Sequence, residues 1–77
     1  MMRLYRVRAG RPGDDEDNDV LSEMFETKED AERFYSDVQD DRDGILATLP
    51  FPSVSVTLEE CYEGRWVRLG RRLVRVQ

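Results

Sequence analysis

Carboxylates are the most abundant reactive groups in this chain, and in two places their spacing invites a calcium site. Asp15, Asp17 and Asp19 stand at positions 1, 3 and 5 of a loop closed by Glu26 at position 12, as in an EF-hand. Position 6 is Val20, however, where the sharp turn needs glycine, and no helical pattern precedes the loop. A second run puts Asp41, Asp43 and Gly44 at positions 3, 5 and 6, but Gln39 replaces the first ligand and Pro50 the closing glutamate. Neither run makes a metal site, which leaves only adventitious divalent binding to the first. Zinc is disfavoured because the chain has no histidine and one thiol, Cys61.

The residue types needed for catalysis are equally sparse. Without histidine there is no ordinary proton shuttle near neutral pH, and Cys61 lacks an imidazole to activate it. The carboxylate pairs fall on segments that read as exposed, not in a pocket that would raise one pKa. The sequence GRPG at 10–13 has neither the spacing nor the lysine of a phosphate-binding loop. The chain is therefore expected to be no enzyme and to carry no cofactor.

Seventy-seven residues make one small domain, 1–77. Cys61 cannot pair within the chain, so the core has no disulfide to support it, and homodimerisation is the remaining way to add buried area. A lone thiol, the lack of a signal-peptide pattern and the lack of a membrane-length apolar run together suggest a cytoplasmic protein with no membrane partner.

Charge is laid out in three blocks beneath the net value of −5. Residues 1–11 carry four arginines and no acid, residues 12–63 carry all 17 acids, and residues 64–77 carry five arginines and no acid. Such asymmetry governs which partners a surface attracts.

The elements that must position these charges follow from periodicity. Residues 3–9 alternate and are β-rich, which predicts a first strand. Residues 10–19 read as an acidic flexible loop, and 20–26 as a second strand. Thr27 opens a helix with capping-box spacing to Asp30, and Ala31, Phe34, Tyr35 and Val38 form its apolar stripe. Asp43-Gly44 is expected to end it, although the last turn is unusually acidic for a helix C-terminus. In the connector, Ile45, Leu46, Leu49 and Phe51 are expected to cap an edge of the core, while Pro50 and Pro52 forbid regular structure. Val54, Val56 and Leu58 alternate inward with Ser55, Thr57 and Glu59 outward. A tight turn at Glu63-Gly64 leads to a partner strand at 65–69, and a second turn at Gly70-Arg71 leads to a last strand at 72–76. The fold class is α+β: a four- or five-stranded antiparallel sheet with one amphipathic helix on one face, in the order β-β-α-β-β-β.

If Val67, Leu69, Val74 and Val76 point toward the helix, then Trp66, Arg68, Leu73 and Arg75 point away, joined by Leu4, Arg6 and Arg8 of the first strand. The molecule is then electrically two-sided. Glu29, Glu32, Asp37 and Asp40 of the helix, with Asp15, Asp17 and Asp19 of the loop, form an acidic surface resembling a nucleic-acid backbone. Its expected partner is a basic, nucleic-acid-binding protein whose site it occludes. The strand–helix–meander order resembles short open reading frames of phages and mobile elements but carries no diagnostic residue, so no function transfers from it; a phage-type inhibitor of host nucleic-acid machinery is one version of the occlusion expectation. Two alternatives stand beside this. Arg6, Arg8, Trp66, Arg68 and Arg75 form a face that could bind single-stranded nucleic acid through charge and stacking. The same face or an edge strand could instead build a structural homo-oligomer. A plainer expectation is that the arginines pair across strands with Glu59, Glu26 or Glu23.

Overall fold

A computed structural model describes residues 3–13, 19–42 and 44–76. Four strands, β1 (Tyr5–Gly10), β2 (Asp19–Phe25), β3 (Ser53–Tyr62) and β4 (Arg65–Arg75), form one antiparallel sheet in the order β2-β1-β3-β4. One helix, α1 (Lys28–Gln39), packs across β1, β2 and β3. The α+β class and the single helix on one face are as the sequence implies. The element order is β-β-α-β-β, one strand fewer than the longer expectation.

The missing strand has a specific cause. There is no turn at Gly70-Arg71, and β4 runs unbroken through both residues. The register shifts instead: Leu58 pairs with Gly70 and Glu59 with Arg68, leaving Leu69 as the extra residue of a β-bulge. A bulge switches which side chains face which way, as a turn would have done. Trp66 and Arg68 before it, and Leu73 and Arg75 after it, therefore all lie on the face opposite α1. Val67 keeps the helix side but is 43% exposed, and Leu69 is equally exposed in the bulge, so neither joins the core. At Gly70 a Cβ would stand 3.2 Å from the Tyr35 hydroxyl, so the glycine lets α1 come close to β4.

The core is built where alternation meets the helical stripe. Tyr5, Val7 and Ala9 of β1 and Val54, Val56 and Leu58 of β3 are buried under Ala31 and Val38 of α1. Phe34 meets Phe25 of β2 with ring centroids 5.3 Å apart. Leu46 is fully buried and Leu49 and Phe51 are half-buried, as the connector suggests, whereas Ile45 turns outward at 47% exposure. The connector also holds one regular element, a 3-10 turn at Leu46–Thr48.

The helix begins as its sequence states, with the Asp30 amide donating to Thr27 Oγ1 at 3.2 Å. It ends earlier than expected, at Gln39, by a Schellman motif: the Asp41 amide donates to the Val38 carbonyl and the Arg42 amide to the Asp37 carbonyl. Asp41 takes the left-handed conformation, φ 50°, that glycine usually supplies. Its carboxylate accepts from the Leu46 amide at 2.8 Å and the Ala47 amide at 2.9 Å, so it caps the 3-10 turn. Part of the acidity that looks misplaced at the end of α1 thus serves the next element. Asp41→Ala is expected to cost about 2 kcal/mol, from the lost cap and from a left-handed backbone that alanine tolerates less well than aspartate, and Asp41→Gly about half as much. Urea denaturation of the two variants measures the difference. The hairpin between β3 and β4 turns at Glu63 and Gly64, both with positive φ (49° and 79°), as a tight hairpin turn requires.

Candidate functional site

The sheet face away from α1 gathers side chains from three adjacent strands. Cross-strand pairing sets Arg6 of β1 beside Glu59 of β3, and Glu59 beside Arg68 of β4. One step along, Arg8 pairs with Thr57, and Thr57 with Arg71. Carboxylate and guanidinium groups therefore meet through register alone.

Glu59 is the hub. Its Oε1 accepts from Arg6 Nε at 2.8 Å and from Arg8 Nε at 2.8 Å, while Arg8 Nη2 reaches Oε2 at 3.3 Å. Arg8 Nη1 also donates to Asp19 Oδ2 at 3.1 Å, which ties β2 into the cluster. Although this face carries no helix, Arg6, Thr57 and Glu59 are each buried. The Arg6 guanidinium lies 4.1 Å from the centroid of the Trp66 ring, so the indole covers the ion pair as well as facing solvent. Burial pushes the Glu59 carboxyl up, but the hydrogen bonds and charges of Arg8 and Arg6 together outweigh it and hold it below its ordinary value. Burial likewise opposes the charge on Arg8, and Glu59 and Asp19 overcome it, leaving that guanidinium more firmly protonated than usual.

Beside this cluster lies an open concavity of about 460 Å³. Ser55, Thr57 and Glu59 of β3 line it with Arg8 and Asp19, Trp66, Arg68 and Arg71 line it from β4, and Gly10, Arg11 and Gly13 complete it. Four arginines face two carboxylates there, so the concavity is positively charged in a chain that is acidic overall. The four cations differ in how far they are committed. Arg8 is held by two carboxylates, Arg71 Nε donates only to the Ser55 hydroxyl at 2.9 Å, and Arg11 lies 5.6 Å from the centroid of the Phe51 ring. Arg68 is exposed and has no ion-pair partner among the described residues.

Of the five residues expected on this face, Arg6, Arg8, Trp66 and Arg68 are brought together. Arg75 shares the face but sits toward the far end of β4, opposite Ser53, outside the concavity. The expected cross-strand pairing to Glu59 holds for Arg6 and Arg8. Thr57 and Glu59, expected outward and solvated, are buried by the arginines and the indole. Arg71 is hidden in the sequence because Gly70-Arg71 reads as a turn. Arg11 and Asp19 escaped it because both fall within a stretch that reads as loop.

The acidic set is dispersed. Glu29, Glu32 and Asp40 lie exposed on the outer side of α1, and Asp37 is half-buried with Arg42 Nε 3.2 Å from its Oδ1. Asp19 belongs to the basic concavity on the opposite side of the sheet. Asp15 and Asp17, with residues 14–18 of the acidic loop expected over 10–19, lie outside the described residues. Among the described residues no group of three or more acidic or cysteine side chains could hold a metal ion, and no helix is long and apolar enough to cross a membrane. Comparison with protein-family models, with curated protein sequences and with solved structures yields no match.

Proposed function

We propose that this chain is a non-enzymatic binding module that holds single-stranded nucleic acid on the open face of its sheet. The observation that supports this is the convergence of Arg8, Arg11, Arg68 and Arg71 on one concavity that Trp66 also lines. Arg68, with no ion-pair partner among the described residues, and Arg71, held only by the Ser55 hydroxyl, are suited to phosphate oxygens, and an indole beside them offers a stacking surface that tolerates any base. The acidic residues of α1 stand on the other side of the sheet, so the net negative charge weakens this face less than the total implies. A reducing, cytoplasmic setting fits the single free Cys61.

Titrating the protein with a single-stranded oligonucleotide at low salt, while following Trp66 fluorescence, tests this directly. Quenching is expected, with a log–log salt slope of about −2 if three phosphates are engaged. An unchanged spectrum and no binding would remove the proposal. A second reading would then lead, in which α1 engages a basic, nucleic-acid-binding protein as a mimic of its ligand. It is supported by Glu29, Glu32 and Asp40, which are exposed and have no ion-pair partner among the described residues.

A further inference from the structure

Both edges of the sheet are free of a further strand among the described residues, β2 at one side and β4 at the other. Three antiparallel pairings separate them, so the two edge strands run in opposite directions. A second copy in the same orientation can therefore lay its β4 antiparallel to β2 of the first, with both helices on one side of a continuous sheet. The two edges are also opposite in charge. β4 holds five arginines and no acid, whereas β2 holds Asp19 and Glu23 and no cation. Each charge guards its edge against its own kind: a two-fold pairing of β4 with β4 centred on Arg71, Arg72 or Leu73 sets arginine against arginine.

β2 offers an arriving strand more than its backbone. Two concavities of about 310 and 270 Å³, sharing Phe34 and Asp37, lie between β2 and the flank of α1, and no residue of β1 or β3 lines either. Leu21, Phe25, Phe34 and Val38 give them an apolar floor. Around them Glu23, Asp30, Asp37 and Asp41 outnumber Arg33 and Arg42. Glu23 is exposed and has no ion-pair partner among the described residues. A strand added to β2 would lay its helix-side residues along this acidic groove, and a basic strand suits it.

Register narrows the fit to one alignment. The Cys61 amide donates to the Leu4 carbonyl at 2.8 Å and the Val76 amide to the Pro52 carbonyl at 3.0 Å, which fixes the alternation of the ladders. Ser22 and Met24 then turn their backbone groups to the free edge of β2, and Arg71 and Leu73 turn theirs to the free edge of β4. Opposing Ser22 to Leu73 and Met24 to Arg71 joins the two edges along the length of β2. On the helix side the same alignment sets Glu23 against Arg72, Leu21 against Val74 and Phe25 against Gly70. Shifting it by two residues either way loses the pair of charges. Placing Arg65 against Glu23 instead would run Met24 and Phe25 into the turn at Glu63-Gly64. From these matches of direction, charge and register we infer that this chain associates head to tail with copies of itself, β4 of one adding to β2 of the next and Arg72 meeting Glu23. The contact lies at the sheet edges and does not depend on whether the open face takes nucleic acid.

Sedimentation equilibrium of the full chain, without nucleic acid, tests this. The mean mass is expected to rise with concentration and to pass that of two chains, because a head-to-tail contact leaves a free edge at each end. Glu23→Arg and Arg72→Glu, both at exposed positions, are each expected to weaken association about tenfold, and the two combined in one chain to restore it. Exchange of the Ser22, Met24 and Leu73 amides should slow together as the concentration rises. A mass that stays that of one chain up to millimolar concentration overturns the inference. So does a mass that stops at two chains or slowing at one edge alone, since the contact would then be two-fold. Failure of the double variant to restore association, with its circular dichroism unchanged, overturns it as well.

Discussion

Replacing Glu59 by alanine is expected to cost about 3 kcal/mol of folding free energy, a large share of the total for a domain of this size. The loss comes less from the missing bonds than from what stays behind: the Arg6 and Arg8 guanidinium groups, largely withdrawn from water, without the carboxylate that both share. Asp19 still pairs with Arg8. Urea denaturation should show a lower midpoint at an unchanged slope. Adding Arg6→Met and Arg8→Leu to the alanine variant should recover most of the stability, because an apolar replacement leaves no charge unpaired. A triple variant as unstable as the single one would refute this account.

The same carboxylate makes the fold sensitive to acid. In the folded chain its pKa is held below the ordinary 4.5 by Arg8 and Arg6 against the opposing effect of burial. Its stabilisation is therefore complete above that ordinary value and is lost as the pH falls through the lower folded value. Stability measured downward from pH 5 should decline more steeply in the native chain than in the triple variant.

The second large effect concerns binding. Arg68→Ala with Arg71→Ala should weaken the oligonucleotide complex about a hundredfold at low salt, at about 1.5 kcal/mol for each charged hydrogen bond lost. The salt slope should fall by about 0.7 for each arginine removed from a phosphate of the single strand. Both side chains are exposed, and Arg71 gives up only a bond to Ser55, so the fold should survive, as far-ultraviolet circular dichroism would show. An affinity that falls while the salt slope stays fixed would mean that these arginines do not contact phosphate.

Much of the architecture is written locally. Thr27 with Asp30, the stripe from Ala31 to Val38, the alternation from Val54 to Leu58 and the turn at Glu63-Gly64 each depend on neighbours within a few residues, and each is found where its pattern places it. What could not be read depends on distant partners. Gly70-Arg71-Arg72 has the composition of a turn, and only pairing with β3 and the nearness of Tyr35 make it a bulged strand instead. Glu59 looks like one more solvated acid until β1 and β4 flank β3 and bring an arginine to it from either side. Asp19 lies within a run of acids, and nothing in that run reveals that it turns toward Arg8. By composition Gly44 is the natural helix stop, yet Asp41 takes that role because its side chain has amides to cap five and six residues on.

The placement of α1 has a consequence for motion. The helix lies across β1, β2 and β3, whereas β4 is tied in mainly through β3. Detaching β4 would leave α1 seated on β1, β2 and β3, so its amides should open in excursions short of global unfolding. Yet β4 supplies Trp66, Arg68 and Arg71 to the concavity, facing Arg8 on β1 and Asp19 on β2. A ligand spanning that gap would join the loosest strand to the most firmly held ones. Part of its binding free energy would then be spent on suppressing these excursions, so that affinity and local order rise and fall together.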